Sequence, residues 1–416
     1  MDSILQQIGR QEAWEEFLAY RLLKKRFDWR SFKEADAYVE QMQFEQPLAR
    51  IADGEGFGIP LRSEINKLGT GKKRVVYSFP NEEMEILRLT AHLLYRYDDR
   101  FSSNCYAFRR GVRVRDVVTK LNRELKGRPM WGYKIDIHNY FNSISIPLLL
   151  PLLQNLLQDD PPLYAFFEKL LNDDRAWKNG EVVHEPRGVM AGLPIASFLA
   201  NVYLMEVDRH FEEAGVIYAR YSDDIILFAE DEKTLLEHKA VLLSFFEKYR
   251  LEVNPSKENV YRPGEAYEFL GFRCAGSLVD ISRGTRDKLK GKIRRKARAL
   301  RRWASKKQKD PALAVKAFLK QLNRSIFDAE DPDDLSWSRY FFPVINRTEG
   351  LREIDRYVQQ MCRYILTGRH YKGNFRHRYS ELKALGYKSL VHEYYTFTSA
   401  RLVCPLSAQG FPTAPR

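Results

Sequence analysis

The segment VIYARYSDDIILFAE, residues 216–230, is the most informative part of this 416-residue chain. Two apolar runs flank the polar residues Ser222, Asp223 and Asp224, a pattern that predicts a β-hairpin with its turn at the polar residues. Two adjacent carboxylates at a hairpin tip repel each other. The energetic cost of this repulsion is small only if the carboxylates are exposed to water or a cation neutralises them. The pattern is therefore typical either of an ordinary exposed turn or of a cation site.

A third carboxylate, Asp136, lies near the end of another strand candidate, WGYKIDI, residues 131–137. Its neighbours are largely apolar, so the lone carboxylate needs a partner. Three carboxylates at the ends of two adjacent strands would form an oxygen site for hard divalent cations. Two Mg²⁺ ions, about 3.5–4 Å apart, can activate an attacking hydroxyl and stabilise a leaving pyrophosphate. The pattern thus favours nucleotidyl transfer.

The positive charge is concentrated in one segment. The chain has 68 Lys and Arg against 55 Asp and Glu, and residues 283–309 carry 14 of the basic residues and one acid. The rest of the chain has equal numbers of basic and acidic residues. A neutral body with one concentrated basic segment indicates a polyanion partner, most simply nucleic acid, and the alternative is a solvated basic helix. Leu289, Ile293, Ala297 and Leu300 predict a narrow apolar stripe on this helix. The arginines expected to face a phosphate backbone are Arg294, Arg295, Arg298, Arg301 and Arg302.

Other features narrow the class of protein. The longest apolar stretch, residues 146–157, is too short to cross a bilayer, and the first residues lack a secretory pattern. Four widely separated cysteines predict neither a disulfide framework nor a zinc site. We therefore expect a cytoplasmic protein without a membrane partner. Strand candidates cluster in the middle of the chain and helices at both ends, which predicts an α+β fold.

The sequence motifs between Asn66 and Gly276 resemble, in type and in order, those of bacterial reverse transcriptases. This broad group includes the group II intron and retron enzymes. The resemblance implies a right-hand polymerase with fingers, an antiparallel palm sheet and a helical thumb. It divides the chain into an N-terminal helical extension (1–65), fingers (66–130), palm (131–276, with a fingers insertion at about 145–185) and a basic thumb and C-terminal region (277–416). The implied activity is RNA-directed DNA synthesis.

The resemblance also assigns the catalytic centre. Asp136 matches the first palm aspartate, and residues 221–224 match the YxDD box. Asp136 and Asp223 would ligate two Mg²⁺ ions, or Mn²⁺, with help from the Ile137 carbonyl, and Asp224 would have a supporting role. RNA, nascent DNA and dNTPs are the implied partners.

Further matches concern the nucleotide and the nucleic acid. Lys72 and Arg74 would hold the dNTP triphosphate, Phe141 would act as a steric gate against ribose, and Lys257 would protonate pyrophosphate. The alternatives are a solvated basic turn, a core aromatic and a surface lysine. Three further positions are assigned to nucleic-acid contact, namely Arg109 and Arg110 for the template and Gly271 in the primer grip.

One loop departs from the family pattern. The family's usual Gly-x-Pro-Gln-Gly loop reads Gly188-Val189-Met190-Ala191-Gly192 in this chain. Ala191 therefore replaces the glutamine that lies beside the bound nucleotide in the family. The resemblance places Gly192 in the dNTP site as well. The segments 192–201 and 385–395 resemble the defence-associated "unknown group" reverse transcriptases, especially the type 2 kind, which copies an adjacent structured non-coding RNA. The open alternatives are an untemplated or protein-primed polymerase of the abortive-infection type, an RNA polymerase, and a non-catalytic RNA-binding scaffold.

Aromatic and basic residues also alternate near the end of the chain, between Tyr357 and Tyr379. Rings beside cations are typical of surfaces on which unpaired RNA bases stack. The alternative is a helical core with a solvated basic rim.

Overall fold

A computed structural model describes residues 2–23, 29–66, 73–186, 188–328 and 336–403. The chain divides into two compact units, residues 1–265 and 266–416. Among the described residues, no helix is both long and apolar enough to cross a membrane.

The first unit contains twelve α-helices within its described ranges. They are α1 Ile4–Ile8, α2 Gln11–Leu23, α3 Trp29–Glu40, α4 Glu45–Ala52, α5 Asn81–Leu93, α6 Val114–Leu125, α7 Tyr140–Ser143, α8 Ile146–Leu156, α9 Pro161–Asn172, α10 Ala196–Tyr203, α11 Met205–Glu213 and α12 Glu232–Lys248. Its strands are β1 Leu61–Asn66, β2 Lys73–Ser78, β3 Trp131–Asp136, β4 Arg175–Lys178, β5 Glu181–His184, β6 Ile217–Tyr221, β7 Asp224–Ala229 and β8 Asn259–Tyr261.

Helices α1 to α4 form much of the predicted N-terminal helical region, residues 1–65, although β1 begins within it at Leu61. Local sequence explains how the first helices form. Ser3 begins α1 with a capping box, in which its side chain and that of Gln6 satisfy backbone amides at the helix start. Trp14 of α2 is almost fully buried and stacks on Phe44, with the ring centroids 5.2 Å apart. These aromatic contacts join the first helices into the core of the first unit.

The described strands of the first unit form two sheets, and the second of these carries the three carboxylates. One sheet has the order β2-β1-β4-β5, and the other has the order β6-β7-β3-β8 with every pair antiparallel. In the second sheet Ile135 of β3 pairs with Ile225 of β7, and both side chains are fully buried. The hairpin predicted at residues 216–230 and the α+β class are confirmed.

The second unit combines a small sheet with helices. Its helices are α13 Arg283–Lys306, α14 Pro311–Ile326, α15 Trp337–Phe341, α16 Glu349–Thr367, α17 Tyr379–Ala384 and α18 Leu390–Val403, and its strands are β9 Tyr267–Phe269, β10 Phe272–Ala275 and β11 Leu278–Ile281. Strands β9 and β10 form an antiparallel hairpin, and β11 adds a third antiparallel strand beside β10. Helix α13 packs against α14 and α16.

Candidate active site

The turn between β6 and β7 places two carboxylates at one end of the antiparallel sheet. Tyr221 pairs with Asp224 across a two-residue loop, Ser222 and Asp223. The backbone φ of Ser222 is 62°, which is uncommon for a residue with a side chain. The φ of Asp223 is not positive. That combination is the pattern of a type II′ turn, which matches the twist of the flanking strands. Such strain persists only where the surroundings enforce it.

Strand β3 brings the third carboxylate to the same end. Asp136 pairs with Asp224 in register, and the Ile137 amide donates a hydrogen bond to the Asp223 carbonyl oxygen at 3.0 Å. The three carboxylates predicted from the sequence therefore lie together on adjacent strands, with the Ile137 backbone beside them.

Two lysines neutralise part of this negative charge. The Lys257 Nζ lies 2.5 Å from Asp136 Oδ2, and the Lys134 Nζ lies 3.6 Å from Asp224 Oδ1. Asn254 Nδ2 donates to Asp136 Oδ1 over a longer distance, 3.4 Å. Asp136 is 6% exposed, so these groups replace much of the water around its carboxylate.

The remaining charge is still unfavourable in the folded chain. Burial raises the pKa of the Asp223 carboxyl above its usual range, and the nearby Asp136 charge adds to this. Burial also raises the pKa of Asp224, with Lys134 opposing and Asp136 reinforcing the shift. The ionised carboxylates would therefore be stabilised by a further cation.

The chemistry of these donors fits a hard divalent cation, because all three side chains offer carboxylate oxygens. Their present arrangement does not by itself form a closed site. Across the described residues, no three His, Cys, Asp or Glu side chains are grouped closely enough to hold a metal ion. Lys257 instead contacts the most buried of the three carboxylates, Asp136.

A second cluster surrounds the loop that departs from the family pattern. The Phe141 ring lies under the Arg74 guanidinium, at 5.6 Å from the ring centroid, and its backbone carbonyl accepts from the Val189 amide at 3.0 Å. A Cβ on Gly188 would lie 2.3 Å from that same carbonyl oxygen. The loop can therefore approach α7 only with glycine at this position.

The other end of this loop rests on β2. The Tyr77 amide donates to the Ala191 carbonyl at 2.9 Å, and a Cβ on Gly192 would lie 2.9 Å from the Tyr77 carbonyl oxygen. This loop thus brings together three of the residues predicted to bind dNTP, namely Arg74, Phe141 and Gly192. Lys72, the fourth residue predicted from this region, lies outside the described residues.

The model of the reverse transcriptase (RNA-dependent DNA polymerase) family matches residues 65–274, just over half of the chain. The chain belongs to this family. It is an RNA-directed DNA polymerase, for which RNA serves as template and dNTPs as substrates, and family members generally use divalent metal ions.

Solved structures of telomerases are similar to this reverse transcriptase. Telomerase from Candida albicans, in complex with a TWJ fragment of telomeric RNA, is 11% identical over 87% of this chain and 71% of that chain, with a TM-score of 0.47. Apo telomerase from Candida Tropicalis is 11% identical over 87% and 66% of the two chains, with a TM-score of 0.48. No curated protein matches the sequence significantly.

The contact of Arg109 with the template stays a prediction, and the structure shows that this side chain also makes contacts within the chain. Its guanidinium donates to the backbone carbonyls of Asp98, Ser102 and Cys105 at 2.7–3.0 Å. These bonds hold the preceding loop together and occupy three of the N–H donors of the guanidinium. Arg110 is exposed, and its guanidinium lies over the Tyr20 ring at 5.8 Å.

The other predicted nucleic-acid residues lie in the second unit. Gly271 has φ of +87° in the β9–β10 turn, and a Cβ there would lie 3.0 Å from Thr285 Oγ1, so turn geometry and internal packing both require glycine. On α13, Ile293 and Ala297 are buried as the apolar stripe predicts. Arg294, Arg295, Arg298 and Arg302 are exposed. Arg301 is less exposed than these four arginines. Its guanidinium packs against Gly368 at the end of α16, in the space that a Cβ on Gly368 would occupy.

The sequence did not predict the buried ion pair that lies beneath the active-site turn. Arg220 and Asp208 are both 0% exposed, and the guanidinium binds both carboxylate oxygens. The same guanidinium donates to the Ser222 carbonyl at 3.3 Å, which links the pair to the strained turn. The available signal was a charged residue inside the apolar run Ile217–Tyr221, since a buried arginine requires a partner.

Proposed function

We propose that Asp136, Asp223 and Asp224 form the catalytic centre of this reverse transcriptase. The observation that carries the proposal is the meeting of three carboxylates at one sheet end, two of them with raised pKa values. Asp136 and Asp223, with the Ile137 carbonyl, would hold two Mg²⁺ ions, or Mn²⁺, and Asp224 would support them. These ions supply activation of a 3′-hydroxyl and stabilisation of pyrophosphate.

Lys257 has a proposed role that follows from its contact with Asp136. In the transfer, the 3′-hydroxyl loses its proton to solvent as its oxygen forms a bond to the α-phosphorus of the dNTP, and the bond from that phosphorus to pyrophosphate breaks. Lys257 donates a proton to the departing pyrophosphate once its ammonium leaves Asp136. More than half of the Lys257 side chain is exposed, so it has room to make this movement.

Arg74, Phe141 and the loop ending at Gly192 are the proposed dNTP site. Arg74 is exposed on β2 and supplies positive charge for the triphosphate, together with Lys72. Phe141 would crowd a ribose 2′-hydroxyl. Its ring is held between Arg74 and Phe108, whose centroid lies 6.2 Å away.

Primer extension on a poly(rA) template with an oligo(dT) primer and Mg²⁺ tests the catalytic assignment. Asp223→Asn with Asp224→Asn should lower the rate at least about a hundredfold, because transition-state charge loses its neutralising ions. Glu213→Gln, an exposed change on α11, is the matched control and should keep the wild-type rate. Full activity in the double variant would refute the assignment.

The biological role that we propose is copying of a dedicated, structured non-coding RNA in defence against phage. The support is the resemblance of segments 192–201 and 385–395 to the type 2 defence-associated enzymes, together with the exposed arginines of α13 as a surface for nucleic acid. The proposed division into N-terminal extension, fingers, palm and thumb follows from the same resemblance.

Ala191 favours one second candidate, untemplated DNA synthesis. Its side chain is 1% exposed and too short to reach a nucleotide as a glutamine would. A heteropolymeric RNA template separates the two functions, because templated synthesis yields its complement. Product unrelated to the template would favour the untemplated polymerase.

A further inference from the structure

The segment after α16 presents large rings to solvent. Tyr371 is 47% exposed, Phe375 is 68% exposed and Tyr379 is 46% exposed. Such rings are usually buried, because each buries 150–250 Å² on folding. Their grouping within nine residues of sequence therefore marks a surface with a use, which we name the aromatic loop, residues 368–379.

The backbone of the aromatic loop is held by its own hydrogen bonds. Arg363 is 9% exposed and its Nε donates to the His377 carbonyl at 2.9 Å. The buried Asn374 donates through Nδ2 to the Arg369 carbonyl at 2.6 Å. A loop pinned in this way presents its rings without a large ordering cost on binding.

Two contacts also fix the rings themselves. The Arg363 guanidinium lies 5.3 Å from the Phe375 ring centroid, so a cation contacts the ring while two thirds of the residue stays exposed. Tyr371 lies over Gly373, where a Cβ would come within 2.3 Å of the ring. Glycine at 373 therefore sets the position of Tyr371.

The charge around the rings has one sign. Residues 364–380 contain no Asp or Glu. The basic residues in the loop are Arg369, Lys372, Arg376 and Arg378. The first acid after the loop, Glu381, accepts a hydrogen bond from His377 at 3.0 Å. Rings that are accessible on one side and surrounded by cations suit a ligand with both flat faces and phosphates.

We propose that the aromatic loop binds unpaired RNA, with bases stacked on Tyr371 and Phe375 and phosphates beside the neighbouring cations. Stacking platforms of this kind accept any base, since every base has a π-face. Bases within a duplex already stack on each other, so the loop discriminates in favour of single strands. This inference rests on the proposed function, because it assumes that the protein binds an RNA template. The aromatic loop would give the unpaired part of that RNA a second contact besides the catalytic centre.

The test measures binding of a fluorescent 12-nucleotide oligouridylate to the full-length protein, and of a 12-base-pair RNA duplex for comparison. Tyr371→Leu with Phe375→Leu should weaken oligouridylate binding at least fivefold and leave duplex binding unchanged. The slope of affinity against salt should stay the same, because no charge is lost. Trp177→Leu, which removes a 42% exposed ring on β4, is the control and should have no effect.

Two further variants separate ring position from charge. Gly373→Ala should also weaken oligouridylate binding, because the added Cβ displaces Tyr371 while every charge remains. Lys372→Gln with Arg376→Gln should instead flatten the salt slope. Unchanged oligouridylate binding in the ring variants, or an equal loss for the duplex, would overturn the proposal.

A membrane surface is the rival ligand for exposed rings and cations. Flotation with phosphatidylserine vesicles tests it, and ring-dependent vesicle binding without ring-dependent oligouridylate binding would overturn the proposal. Primer extension on a pre-annealed template keeps the two proposals distinct. A protein that makes no DNA but binds oligouridylate through these rings would refute the catalytic assignment alone.

Discussion

The Nζ atom of Lys257 lies 2.5 Å from Oδ2 of Asp136, the most buried of the three active-site carboxylates. The side chain of Asp136 is 8% exposed and that of Lys257 is 55% exposed. The carboxylate is thus fixed in the fold, and the ammonium is the partner that can move. In this arrangement the lysine neutralises the charge that a divalent cation would otherwise neutralise.

Replacing Lys257 should therefore tighten metal binding while slowing DNA synthesis. In Lys257→Gln, we expect Mn²⁺ affinity to rise roughly two- to fivefold, the scale of an ion pair in which one partner is exposed to solvent. Calorimetric titration measures the affinity, and the rate of a single nucleotide addition measures catalysis. Lys248→Gln removes a comparable surface pair with Glu206 and is the control. Weaker Mn²⁺ binding in Lys257→Gln would show that the ammonium does not compete with the cation.

The Arg220–Asp208 pair should stabilise both the fold and the active-site turn. Arg220→Met leaves Asp208 charged and buried, which is expected to cost about 3–5 kcal/mol in the free energy of unfolding. Adding Asp208→Asn should recover part of that stability. The nucleotide-addition rate should stay low in the double variant, because the Ser222 carbonyl still lacks its donor. Urea denaturation and single-turnover kinetics give the two values, and a wild-type rate in a folded double variant would contradict this role.

Gly192→Ala should weaken dNTP binding. The new Cβ would lie 2.9 Å from the Tyr77 carbonyl oxygen and would push the loop away from β2. Gly215→Ala is a matched control, since Gly215 also has a positive φ but has no atom within 4 Å of the added Cβ. Both changes strain the backbone, because both glycines have a positive φ. Only Gly192→Ala is expected to raise the KM for dNTP in primer extension, and an equal effect of both would remove the loop from the nucleotide site.

Asp223→Asn should raise the melting temperature of the metal-free protein. The raised pKa of Asp223 means that its ionised form is less favourable in the folded chain than in the unfolded chain. That cost is fully present above the raised pKa and disappears as pH falls below the unfolded value. The gain should therefore be seen at pH 7 in EDTA and vanish toward pH 3. A lower melting temperature at pH 7 would indicate that Asp223 stabilises the metal-free turn.

The exposed arginines of α13 should set the salt dependence of nucleic-acid binding. Changing Arg294, Arg295, Arg298 and Arg302 to glutamine should flatten the slope of log affinity against log salt by up to about 0.9 for each lost phosphate contact. Arg301→Gln should change the slope little, because its guanidinium packs at Gly368. Fluorescence anisotropy with a duplex at ~50–200 mM salt provides the measurement. An unchanged slope in the fourfold variant would place the nucleic acid on another surface.

The sequence predicted the active-site hairpin because two long apolar runs with a polar turn permit few other structures. It also indicated that Asp136 lies beside that hairpin, because a carboxylate among apolar neighbours needs a partner. Strands β4 and β5 were missed because they have only four residues each and little alternation of apolar and polar side chains.

Long-range contacts were harder to predict. Nothing in the local sequence shows that Asp208 on α11 reaches Arg220 on β6, or that Arg109 turns toward three backbone carbonyls. Both depend on where separate segments meet in the folded chain. A buried charge in a strand indicates that a partner exists, and only the three-dimensional structure identifies it.

The catalytic role of the carboxylates and the use of a dedicated RNA template can be tested together by sequencing the nucleic acid that copurifies with the protein, before and after addition of dNTPs and Mg²⁺. We predict one enriched RNA, and complementary DNA that forms only when Asp223 and Asp224 are intact. DNA without a complement in any RNA, or DNA that forms equally in Asp223→Asn with Asp224→Asn, would contradict the account.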